Sequence, residues 1–394
     1  MRLTPLLFVL CVMAASSHGT LAQYGGNSNT RNRDGNTSNS NSRNTPRSRV
    51  ESTDRESEET DEREARRDAG REESVNKGKT PGLSEGPEVV GAVDEKNWGK
   101  LSPEQQAAAV AELKKFAEDA KMKVNGGLAP HETKYFLFYS DLKPAEAQKW
   151  AGLLDRMYAK LGNLFGVKSD ENIFHGKALV FVFSKEQDYL VFQKIMHETD
   201  ATGTAGLCHQ YGNGDVHIAF FRQTVDQDFA AVLVHESVHG FLHRYKKPPE
   251  VPTWVNEGLA ETIAADLVPQ KGKRQELRQF AIGQVREHGG VGSTFFTTDR
   301  LEPWQYPVAA TLAEFMIKAN KKNYVAFIDG IKDGMKWQDA LTQKYGAPLD
   351  RLIEAYGAEY NIRGMGGPNQ QPDPRRAQEP NRDREEEERR KERE

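Results

Sequence analysis

Two histidines bracket a glutamate in His235-Glu236-Ser237-Val238-His239, and two more carboxylates follow in Trp254-Val255-Asn256-Glu257-Gly258-Leu259-Ala260-Glu261. Residues four apart on a helix lie about 40° apart around its axis, so the imidazoles of His235 and His239 can reach one metal ion while Glu236 projects beside them. Neutral imidazoles suit zinc, and a catalytic zinc site needs a third protein ligand plus an open position for water. Glu257 is the best candidate. It follows His239 at a distance that lets one helix end near Tyr245, cross Pro248-Pro249 and return on a second helix starting near Thr253. Glu261, four residues further, shares the helical face of Glu257 and is placed to orient a ligand histidine from behind. The chemistry expected of such a set is metal-assisted hydrolysis, with Glu236 as the general base.

Other residues compete for these roles. His243 lies one turn beyond His239 and is a minor rival as ligand, since a glutamate on a separate helix closes the site better. Trp254 reads first as a core anchor. Cys208 reads as a small buried apolar residue, and His209 and His217 as ordinary hairpin residues.

The elements that must hold the cluster show in the apolar pattern. Ser102-Pro103-Glu104-Gln105 combines a cap, a helix-opening proline and a reciprocal capping residue, which predicts a helix towards Lys121. Tyr135 to Tyr139 reads as a strand. Trp150, Leu153, Leu154, Met157, Leu161 and Leu164 recur at helical spacing between Pro144 and Phe165. Ala178 to Phe183 is an apolar run of strand length, followed by a short helix from Glu186 to Met196. Ala205–Tyr211 and Val216–Phe221 flank Gly212-Asn213-Gly214-Asp215 as a hairpin, and the pattern is helical from Asp226 onward. The expected architecture is α+β: a small mixed or antiparallel sheet packed on the helix of His235, then a mainly helical lobe, with the metal between them. An extended substrate is expected to pair with an exposed edge strand such as Val216 to Phe221.

Composition bounds the rest. Residues 1–22 run from Arg2 through an apolar stretch to Ala22 and read as a secretory signal peptide, which implies a secreted or otherwise extracytoplasmic protein. Removal of Cys11 with that leader leaves Cys208 alone, so the core or a metal must supply stability rather than a disulfide. Residues 23–96 and 364–394 hold few large apolar residues and are read as disordered low-complexity segments, the second ending in an Arg/Glu run that suits contact with a cell-surface polymer. Residues 97–363 remain as the folded domain. A net charge of −4 makes no electrostatic case for nucleic acid, and no integral membrane segment is expected once the leader is gone.

HESVH with WVNEGLAE resembles the gluzincin zinc metallopeptidases, the group of thermolysin and the aminopeptidase N family. The resemblance covers chiefly residues 228–265 and implies a zincin-like fold and a bound Zn²⁺. It assigns His235, His239 and Glu257 as ligands, Glu236 as catalytic base and Glu261 as the acid behind the ligands. Tyr306-Pro307-Val308-Ala309-Ala310 is similar to a segment that supplies a tyrosine near the metal, which would make Tyr306 catalytic by donating to the oxyanion. The chain lacks a GxMEN-like string, so the resemblance points to an endopeptidase acting on peptide or protein. The alternative is an inactive module of the same shape that binds peptides or a surface polymer.

Overall fold

The computed structural model describes residues 98–247, 249–362 and 365. The expected leader, the low-complexity segment and the charged tail therefore lie outside the described residues, apart from Met365.

The first helix, α1 (Pro103–Lys123), opens with the anticipated reciprocal cap: the Ser102 hydroxyl accepts from the Gln105 backbone N–H, and the Gln105 side chain accepts from the Ser102 N–H. Strands β1 (Ala129–Glu132) and β2 (Phe136–Ser140) precede α2 (Pro144–Phe165), whose apolar stripe is buried as its spacing requires. Then come β3 (Ala178–Phe183), α3 (Glu186–His197) and the hairpin of β4 (Gly206–Gln210) and β5 (Val216–Phe221). Helices α4 (Asp226–Arg244), α5 (Thr253–Leu267), α6 (Lys273–Glu287) and α7 (Gln305–Lys332) follow. α8 (Trp337–Ala340) runs on into a π-helical turn at Leu341–Tyr345, and α9 (Leu349–Glu359) completes the order.

The fold is α+β with one mixed sheet among the described residues, in the order β1-β2-β3-β5-β4. β2, β3 and β5 run parallel, while the outer strands β1 and β4 run antiparallel to their neighbours. One expectation is overturned: Val216–Phe221 is an interior strand, flanked by β3 on one side and β4 on the other. The α3 crossover from β3 leads into β4, and the hairpin turns back so that β5 fills the place beside β3. Gly206–Gln210 is left at the edge.

Alternation divides the sheet cleanly. Phe136, Phe138, Val180, Val182, Ile218 and Phe220 join the core that contains α2 and α4. Leu137, Tyr139, Leu179, Phe181 and Ala219 face a smaller core with α1 and α3. α4 lies close on the hairpin because residue 240 is glycine: a Cβ there would fall 2.6 Å from Val216 Cγ1. Its first turn is tied to α2 through Arg222, which bonds Glu146 at 2.7 Å and also Asp226. α5 packs on α4 and α7, and Gly258 permits the second contact, since a Cβ would sit 2.4 Å from the Ala309 oxygen. Trp254 anchors that packing as expected, buried against Phe295, Phe296, Phe327 and Trp337. No helix among the described residues is long and apolar enough to cross a membrane.

Candidate metal centre

Acidic residues in the first turn of α4 and Arg244 in its last suit the helix dipole, so the metal-site string sits inside a well-formed helix. His235 and His239 occupy consecutive turns, and α5 crosses so that Glu257 meets both. Glu257 Oε2 lies 3.2 Å from His235 Nε2 and 3.8 Å from His239 Nε2. One ligand atom from each of the three residues falls within 4.8 Å of the others, and this is the group among the described residues that could hold a metal ion.

The far ring nitrogens are held in turn. Glu261 Oε1 lies 3.3 Å from His235 Nδ1, and His239 Nδ1 is 2.9 Å from Asn256 Oδ1. Because that oxygen can only accept, the His239 proton belongs on Nδ1 and the Nε2 lone pair faces Glu257. Sequence reasoning placed Glu261 but missed Asn256. Its signal was adjacency to Glu257, since two consecutive residues on one helix can reach two sides of the same facing imidazole.

The donor set suits a cation. Glu257 Oε1, both Glu236 oxygens and His239 Nε2 are buried without a hydrogen-bond partner among the described residues, and Glu257 Oε2 has the His235 ion pair. Buried polar atoms left in that state are costly, and a divalent ion with a water would satisfy them together. The electrostatics agree. Burial works against charge on His235, yet the Glu257 and Glu261 carboxylates outweigh it and hold that imidazole well above the ordinary histidine range. The two carboxylates thus draw positive charge to this point. Burial pushes His239 down to about 4, so it is neutral at physiological pH, as a ligand must be. Burial also lifts Glu236 to about 8, with the Glu257 charge adding to the shift and His235 opposing it. A cation beside these groups would favour their anionic forms.

Glu236, His239 and Glu257 open onto a cleft whose far wall includes Cys208 and Gln210 of the edge strand. Cys208 is a free buried thiol pushed up by burial, and so is unreactive as expected. His243 is not part of the metal group: its Nε2 is 3.2 Å from the Tyr211 carbonyl oxygen, to which it donates. Tyr306 is buried in the first turn of α7 and is not among the residues that line this cleft. Lys332 does line it, and no motif marked that residue beforehand. In comparisons with known proteins, no family model matches the chain, and no curated protein matches it either.

Proposed function

We propose that the chain is a secreted zinc metallopeptidase of gluzincin type with a zincin-like fold, hydrolysing internal peptide bonds. The observation that carries this reading is a His/His/Glu cluster of zinc-ligand geometry with an unpartnered buried glutamate, Glu236, adjoining it on the same helix. Zinc held by His235, His239 and Glu257 would supply Lewis acidity, polarising a scissile carbonyl and acidifying water. Glu236 takes the proton of the attacking water on its carboxylate and hands it to the departing amine nitrogen. Glu261 and Asn256 keep the two imidazoles turned towards the cation. The sequence resemblance adds Tyr306 as a phenol for the oxyanion, a role that would require it to reach the cleft from the start of α7.

Two surfaces support a peptide as substrate. The edge strand β4 passes beside Glu236 and has one side free of strand partners among the described residues, which suits main-chain pairing with an extended chain. A cavity of about 450 Å³ adjoins the cluster at Glu261, its wall mixing Ala231, Val232, Ala264 and Leu277 with Asp228, Lys273, Arg274 and Glu314, which suits a long side chain that is apolar along its stem and polar at its end.

The test is the zinc content of the full chain together with cleavage of an unbiased peptide library, beside Glu236→Gln. Stoichiometric zinc, with cleavage that disappears in the variant, is the expected result. Zinc without cleavage in either protein would transfer the chain to the peptide-binding alternative, and absence of zinc would remove the site.

A further inference from the structure

At the end of the cleft beyond His239, an ammonium group sits where charge is expensive. Lys332, the last residue of α7, is 1% exposed. Its Nζ reaches only the His243 carbonyl oxygen, at 3.4 Å, which leaves two of its three donors without a hydrogen bond among the described residues. Glu250, exposed at the rim of the same cleft, attracts it but forms no ion pair with it among the described residues. The carboxyl ends of α4 and α7 both favour a cation here. Burial nevertheless prevails and draws the lysine down to about 7, with Arg244 adding to the effect and Glu250 opposing it. A desolvated cation lacking a full set of acceptors is what a binding site for an anion presents before the anion arrives.

The shared cleft places that anion near the metal cluster. His243 is one turn beyond His239, a separation of about 6 Å along the helix, and an extended peptide advances about 3.3 Å per residue. An ammonium against the His243 carbonyl is offset from the cluster by about one helical turn, which corresponds to roughly two residues of a peptide lying along α4. We propose that Lys332 determines specificity by binding the carboxylate of an acidic substrate side chain within two residues of the scissile bond. This rests on the metallopeptidase reading of the same cleft.

Binding and turnover test the two ideas separately. The zinc-loaded full chain carrying Glu236→Gln is titrated with three fluorescein-labelled peptides: a neutral Gln-containing amide, the same amide with one Glu scanned along it, and the neutral sequence with a free C-terminus. A charge-assisted hydrogen bond predicts about 10- to 100-fold tighter binding of a carboxylate form over the neutral amide. Preference for the scanned Glu is the expected result, whereas preference for the free acid alone overturns the proposal in favour of capture of a chain end. Adding Lys332→Met should reduce the preference to within about 3-fold; if that variant does not fold, the comparison on the lysine-bearing chain decides alone. Equal binding of all three peptides, binding of none, or a preference that survives in a folded Lys332→Met chain overturns the proposal. Cleavage by the unsubstituted chain is scored independently. Carboxylate-selective binding without turnover sinks the peptidase reading and leaves Lys332 as a carboxylate-binding residue of a peptide-binding cleft, whereas turnover without selectivity keeps the peptidase and overturns the role of Lys332.

Discussion

Replacing His217 by Phe should make the protein more resistant to acid. His217 on β5 lies directly opposite His209 on β4, and its ring packs 4.5 Å from Phe116, 4.9 Å from Tyr211 and 5.7 Å from His197. His197 stacks on His209 at 3.9 Å, so three imidazoles share one buried pocket. His197 is bonded to Tyr211 and His209 to Gln193, but neither nitrogen of His217 has a hydrogen-bond partner among the described residues. Burial pushes His217 down to about 4, partly countered by the nearby Asp215 carboxylate, while the unfolded chain protonates near 6.5. The folded pKa is the lower one, so the stability tied to this residue is fully present above pH 6.5. It is lost as pH falls from 6.5 to about 4, because the unfolded state binds the proton first. Each pH unit inside that window costs about 1.4 kcal/mol, so pH 5 removes about 2 kcal/mol relative to pH 7.5. Phenylalanine keeps a ring in that place, removes that loss and leaves no buried nitrogen unpaired, a gain of about 1–3 kcal/mol at every pH that the larger ring offsets in part by crowding Phe116 and Tyr211. Urea unfolding followed by tryptophan fluorescence at pH 7.5, 6 and 5 measures both terms. Curves for the variant and the parent that fall in parallel between pH 7.5 and 5 would refute the titration argument, and destabilisation at pH 7.5 would refute the packing argument.

Three further outcomes follow from the centre and its supports. Zinc at a thousandfold excess over its dissociation constant should stabilise the chain by about 4 kcal/mol, read as a rise in melting temperature that a chelator reverses; Glu257→Gln should lose most of that rise. Asn256→Ala frees His239 Nδ1 and should weaken zinc binding about 10- to 100-fold by competition titration, while Asn256→Asp, which still accepts that proton, retains most of the affinity. Gly258→Ala forces a methyl against the Ala309 carbonyl, which should cost about 1–3 kcal/mol in denaturant unfolding and lower zinc affinity by displacing the helix that carries Glu257.

Much of the fold was legible because local pattern and tertiary environment agree. The stripe from Trp150 to Leu161 is helical and buried, the apolar run at Ala178–Phe183 is a strand covered on both faces, and the Gly212–Asp215 turn joins two strands where its chemistry requires. β1 was missed, since Ala129-Pro130-His131-Glu132 is short, mostly exposed and contains a proline, which is tolerated on an outer strand but gives no apolar signal.

The sequence by itself determined the candidate ligand set. Spacing of four along one helix puts His235 and His239 on one face whatever surrounds them, and the distance to Glu257 suffices for a return helix. Tertiary structure decided the rest, because it depends on which distant segments become neighbours. β5 rather than β4 became interior through strand order, although its sequence VHIAFF is also the more apolar of the two. His197, His209 and His217 became one cluster through the register of the hairpin and the position of α3. Lys332 reached the cleft only because α7 ends against the last turn of α4, a meeting of two helix termini that no local pattern encodes.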